Sequence, residues 1–119
     1  MQTMKPTFRV TGLHACRSAD DLIVILDMVL GCMTSKQRVR LSGVDAPTVN
    51  NSTKDNVAVE LRNRVQKMIV DSKQCWVCVD RYTNGGDIVG TVYYCMDGVN
   101  MINLNQELID LGYVFSRGY

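Results

Sequence analysis

The sequence is poor in histidine, tryptophan and proline, with one, one and two residues respectively, and it has no excess of either charge. Thirteen Lys and Arg stand against twelve Asp and Glu, so the formal net charge is +1. A charge this small excludes the broad basic surface of a protein that grips nucleic acid mainly by neutralising phosphates. A small local basic site is still compatible with it.

Long apolar segments are also lacking. The most apolar run, residues 22–33, has twelve residues and contains Asp27, whereas a membrane-spanning helix needs about twenty apolar residues. The first residues, MQTMKPTFRVTG, have no apolar middle of the kind that a signal peptide carries. The sequence therefore predicts a protein of the cytoplasm with no membrane partner.

The cysteines number five, so at least one has no partner within the chain; they are Cys16, Cys32, Cys75, Cys78 and Cys95. Without an export signal, reduced thiols are the simpler interpretation. Cys75 and Cys78 form a CxxC pair, but the only histidine is His14, and a structural zinc site usually needs a second ligand pair. We therefore expect these thiols to be small apolar side chains of a strand.

The length of 119 residues predicts one domain, residues 1–119, with one hydrophobic core. Alternating and continuous apolar patterns predict strands, and a 3.6-residue period predicts helices. The predicted strands are residues 7–16, 22–26, 38–44, 76–81 and 90–95, and the predicted helices are residues 55–71 and 105–111. Asn103 or Asn105 is predicted to cap the start of the second helix, and Gly112 to follow its end. This order fits either a five-stranded OB-fold barrel or a twisted open α+β sheet.

Two segments contain specific sequence motifs in addition to a hydrophobic period. Residues 40–47, RLSGVDAP, resemble a characteristic block of the staphylococcal nuclease family. GTVY at residues 90–93, DG at 97–98, LNQEL at 104–108 and LGY at 111–113 are similar to a second block of that family. The resemblance extends over residues 11–115 in the family's element order. It implies an α+β, mainly β, OB-fold barrel with two helices.

The resemblance also implies a chemistry, the calcium-dependent hydrolysis of DNA and RNA. Such a reaction needs a divalent ion held by carboxylates, a base for water and cations on the phosphate. By position in the motif, Asp21 and Asp45 correspond to the metal aspartates and the carbonyl of Ala46 to a loop ligand. Arg40 corresponds to the first phosphate-binding arginine.

Two positions depart from the family's pattern. Thr48 stands where the family has its glutamate base, and Val89 stands where it has a second arginine. Losing one electrostatic group costs a hydrolytic enzyme about a hundredfold to a thousandfold in rate, and losing the base costs about a hundredfold more. Asp55 and Arg81 are the nearest candidates for replacing the two groups, and Asp20 is a further candidate metal ligand.

The end of the chain differs as well. The family continues with a third helix and a lysine-rich segment, whereas this sequence stops at Tyr119, close to where the family places aromatic residues that stack on the base. A sequence that is a fragment of a longer chain would explain the missing helix, and so would a protein partner or a neighbouring domain that covers the barrel face. The turn between residues 98 and 104 is about three residues longer than the family's.

Three functions follow from these residues. The first is a domain with an incomplete catalytic set that binds RNA, single-stranded DNA or protein, with Arg40, Arg81 and Tyr119 on the nucleic acid. The second is a slow nuclease that depends on Ca²⁺ or another divalent ion. The third is an interaction or inhibitory protein with no role in nucleic-acid binding. The missing base and arginine and the small net charge favour the first.

Overall fold

Five strands of the computed structural model close into a mixed β-barrel accompanied by two helices, which decides between the two predicted architectures. The structure describes residues 6–29, 33–47 and 56–113. In chain order the elements are β1 (Thr7–Ser18), β2 (Asp21–Val29), β3 (Met33–Leu41), α1 (Asn56–Asp71), β4 (Gln74–Tyr82), β5 (Ile88–Cys95), β6 (Ile102–Asn103) and α2 (Leu104–Asp110).

The barrel closes through a parallel pairing of β3 with β5. The other neighbours are antiparallel, in the order β3-β2-β1-β4-β5, and the short β6 lies beside β5. At the closure Val39 lies opposite Ile88 and Leu41 lies opposite Gly90. Closure leaves no open edge between β3 and β5, as expected of an OB-type barrel.

The interior of the barrel is filled by alternate residues of its strands. On β2, Leu22, Val24 and Leu26 are at most 1% exposed, while Ile23 and Ile25 are half-buried on the outer side. This explains the continuous apolar run that predicted a strand in the wall of a closed sheet. The α1 helix packs on the same core through one stripe of buried residues, Ala58, Leu61, Val65 and Ile69.

The predicted third strand, residues 38–44, was wrong at both ends. The third strand begins at Met33 and ends at Leu41, so Gly43, with a φ of 75°, lies in the turn after the strand and not within it. Residues 33–37 have mostly polar side chains, so they carry no apolar period that would reveal a strand. The two-residue β6 is likewise too short for a periodic signal.

Of the two predicted N-caps of the second helix, Asn103 is the one observed, and Asn105 lies within the helix. The Asn103 side chain accepts a hydrogen bond from the Gln106 backbone N–H, and Gly112, with a φ of 100°, follows the last turn. A glycine in this left-handed conformation is a common way to end a helix. No helix in the described part of the chain is long and apolar enough to cross a membrane.

Candidate functional site

The residues identified from the family blocks lie side by side where β2 begins, β3 ends and β5 begins. Asp21 of β2 lies opposite Arg40 of β3, Arg40 lies opposite Val89 of β5, and Val89 lies opposite Arg81 of β4. We call these four residues the cleft row. The strand register therefore brings together residues that are far apart in the sequence, including Val89, the position at which the family resemblance predicts a second arginine.

Asp21 is engaged by Arg38, two residues before Arg40 on the same strand. The Arg38 Nε–H donates to Asp21 Oδ1 at 2.8 Å, and Nη2 donates to Oδ2 at 2.5 Å. These hydrogen bonds and the carboxylate charge raise the pKa of Arg38, with burial opposing them. Arg38 Nη1 also lies 3.7 Å from Asp87 Oδ2. Arg38 thus links two carboxylates through a forked ion pair.

Arg40 has a different environment from Arg38. Its side chain is exposed, and none of the ion pairs found among residues 6–29, 33–47 and 56–113 involves it. Next to it, Val89 is only 3% exposed and offers no charge. Arg81, on the far side of Val89, is exposed. The cleft row therefore presents cationic groups to solvent.

The loop after β3 is held in place by Asp20 rather than Asp21. Asp20 Oδ2 accepts from the Ala46 backbone N–H at 3.3 Å, and Oδ1 accepts from the Ser18 hydroxyl at 2.9 Å. Asp45 is exposed, and its backbone N–H donates to the Tyr113 carbonyl at 3.1 Å. The two neighbouring aspartates thus have separate environments: one holds the loop, and the other pairs with Arg38.

A buried asparagine supports the cleft from beneath. The Asn105 Nδ2 group donates to the carbonyls of Ser42 and Gly90, both at 3.0 Å, and its Oδ1 accepts from the Val92 N–H at 3.0 Å. Asn105 is 4% exposed. Because a buried amide is costly unless its polar atoms are satisfied, these bonds fix α2 against β5 and the loop after β3.

Comparison with known families agrees with this geometry. A family model described as staphylococcal nuclease homologue matches residues 38–117, which include both sequence blocks. The chain belongs to the staphylococcal nuclease family. No curated protein matches the chain at a significant level.

The metal site that the nuclease family implies can be tested against the side chains of this member. Calcium takes six to eight oxygen ligands. Both carboxylate oxygens of Asp21 already accept from Arg38, and those of Asp20 accept from Ser18 and Ala46. Among the side chains that the structure describes, no three His, Cys, Asp or Glu residues come together as a metal-binding group. A calcium ion at this place would have to compete with Arg38 for Asp21. Asp45, the second predicted metal aspartate, is exposed, and its carboxylate takes part in none of the ion pairs found among the described residues.

Three of the residues singled out in the sequence lie outside the described residues: Thr48, Asp55 and Tyr119. Their predicted roles stay predictions. Sequence reasoning missed Arg38, although the alternation of Arg38 and Arg40 about the buried Val39 was a signal for two cations on one face of a strand.

The two side chains of the CxxC pair lie on opposite faces of β4. Cys75 is 4% exposed within the core, whereas Cys78 is half-buried on the other side of β4. Burial raises the pKa of the Cys75 thiol to about 12. Cys75 is thus a buried side chain of a strand, as predicted, and Cys78 lies on the opposite face of the same strand.

Proposed function

We propose that this nuclease-like domain binds RNA or single-stranded DNA at the cleft row without hydrolysing it. The observation that carries the proposal is the contrast between Arg38 and Arg40. Arg38 is paired with Asp21, while Arg40 is exposed beside it. A phosphate could therefore bind Arg40 without competing against a carboxylate for the guanidinium.

Two other positions argue that the domain does not cleave nucleic acid efficiently. Hydrolysis of a phosphodiester needs cations on the developing charge and a base for water. Val89 is an apolar, buried side chain at the position of one expected cation, and Thr48 stands at the position of the base. A slow calcium-dependent nuclease and a protein-binding or inhibitory domain are the two alternatives, and the experiment below separates them.

The test uses the purified domain with labelled single-stranded RNA and DNA oligonucleotides, in calcium, in magnesium and in chelator. We expect no cleavage and salt-sensitive binding that does not need a metal, measured by fluorescence anisotropy. Arg40→Ala should weaken binding about tenfold, because a charge-assisted phosphate contact is lost. Lys67→Ala, an exposed cation on α1, is the matched control and should change affinity little.

Each alternative has its own signature in this experiment. Calcium-dependent cleavage that Asp45→Ala abolishes would overturn the proposal in favour of the slow nuclease. Absence of binding to any oligonucleotide at low salt would overturn it in favour of a protein-interaction domain. Equal losses from Arg40→Ala and Lys67→Ala would show that the cleft row is not the binding site.

A further inference from the structure

A second row of side chains crosses the sheet at a distance from the cleft row. Directly opposite one another on β2, β1, β4, β5 and β6 lie Asp27, Arg9, Trp76, Tyr93 and Asn103. Side chains of such cross-strand partners on one face are neighbours, with Cβ atoms about 5 Å apart. The indole of Trp76 therefore has a guanidinium on one side and a phenol on the other. We call Arg9, Trp76 and Tyr93 the aromatic row.

The aromatic row faces outward. Its neighbours along the strands are buried in the barrel; they are Val10, Cys75, Val77, Val92 and Tyr94. Because side chains alternate between the two faces of a strand, Arg9, Trp76 and Tyr93 lie on the outer face, where Arg9 is exposed and both aromatic residues are partly exposed. No residue of the cleft row belongs to it, and along β5 the two rows are four residues, or about 13 Å, apart.

A groove opens beside the aromatic row, between β1 and the end of α1. Its volume is about 570 Å³, and its lining includes the two cations Arg9 and Lys73 together with the polar side chains of Thr11 and Gln74. Asp27 also lines it, so the groove carries two positive charges and one negative charge. The groove thus has one more positive than negative side chain in its lining and lies at the edge of the aromatic row.

We propose that the aromatic row is a second binding surface for single-stranded nucleic acid, where bases stack on Trp76 and Tyr93 and a phosphate lies between Arg9 and Lys73. Exposed aromatic faces bordered by cations are how proteins hold unpaired bases without reading their sequence. A cation beside an indole also holds the ring by a cation–π interaction. This proposal goes beyond the cleft row and does not depend on it.

Trp76 is the only tryptophan of the protein, so the intrinsic tryptophan fluorescence reports on this surface alone. A short oligothymidylate titrated into the intact domain should quench the Trp76 fluorescence, since a stacked base quenches an indole. Arg9→Gln and Tyr93→Leu should each weaken the quenching titration about tenfold. Tyr82→Leu, an exposed tyrosine near the end of β4, is the control and should leave the titration unchanged. Arg9 is exposed, so its substitution keeps the test valid if a change at Tyr93 disturbs folding.

The outcomes separate this surface from the cleft. Quenching that survives Arg40→Ala and is lost in Arg9→Gln would support the aromatic row. Oligonucleotide binding seen by anisotropy with no change in Trp76 fluorescence would overturn the aromatic row and leave the cleft proposal standing. Quenching that added salt does not weaken, or that Tyr82→Leu removes as fully as Tyr93→Leu, would also overturn it. Binding of an apolar peptide at the aromatic row, with no binding of the oligonucleotide there, would also overturn the proposal.

Discussion

Two regions of the molecule differ in how closely they match the sequence pattern of the staphylococcal nuclease family. One is the set of buried residues beneath the cleft row, which we call the framework, and the other is the cleft row itself with its charged neighbours. Beneath the cleft, Asn105 satisfies three backbone groups, and Gly90 allows β4 and β5 to approach closely. On the surface, Asp21 is paired with Arg38, and Val89 stands where the family has an arginine.

The difference shows that two separate demands act on the same strands. Folding needs the framework residues, because they fill space and satisfy buried polar atoms. Catalysis needs the charged side chains at the surface, and these contribute little to folding because solvent screens them. A nuclease fold can therefore be kept when the charged groups on its surface change. Substitutions in the two regions should have unequal effects.

The largest effect is expected from Gly90→Ala in the framework. An added Cβ at this buried position would lie 2.3 Å from the Cys78 carbonyl oxygen, a backbone atom that cannot move without separating β4 from β5. We expect a loss of about 3 kcal/mol in the free energy of unfolding. Urea denaturation followed by circular dichroism measures it.

Gly12→Ala is the matched control for Gly90→Ala. Gly12 also lies in a barrel strand, but there an added Cβ would make an ordinary contact, 3.5 Å from Ile25 Cδ1. We expect its effect on the unfolding free energy to stay within about 1 kcal/mol. Similar losses for the two glycines would contradict the idea that close strand approach at Gly90 is a framework requirement.

A smaller effect is expected from Asn105→Ala. The substitution removes three hydrogen bonds and leaves the Val92 N–H and the Ser42 carbonyl without this partner. We expect a loss of about 2 kcal/mol in the unfolding free energy, because buried polar groups would be unsatisfied. Asn103→Ala, which removes only the cap of α2, should cost about 1 kcal/mol. The reverse order in chemical denaturation would contradict the framework role of Asn105.

The sequence was enough to predict the framework's outline but not its contacts. The RLSGVDAP block placed Asp45, Arg40 and Ala46 correctly near the end of a strand, and Gly112 ended a helix as expected. Asn105 was predicted only as a possible cap, since its three partners are brought close by the packing of α2 on β5. Such contacts depend on strand register and helix docking, which no local period encodes.

Strand register also limited what the sequence could predict about the charged side chains of the surface. The alternation of Arg38 and Arg40 was visible, but the choice of Asp21 as the partner of Arg38 depends on the β2–β3 register. The aromatic row needed two such registers at once, because its three members come from β1, β4 and β5. Trp76 and Tyr93 therefore looked like ordinary strand residues in the sequence.

The smallest effect is expected from Arg38→Gln on the cleft surface. The Arg38 and Asp21 side chains are 28% and 17% exposed, so solvent screens part of their attraction. We expect a loss of about 1 kcal/mol in the unfolding free energy at low salt, shrinking as salt is added. Lys36→Gln, an exposed cation two residues away on the same strand, is the control and should change stability less. If Arg38→Gln instead matched the loss from Gly90→Ala, the ion pair would belong to the folding framework, and the separation of framework from surface would fail.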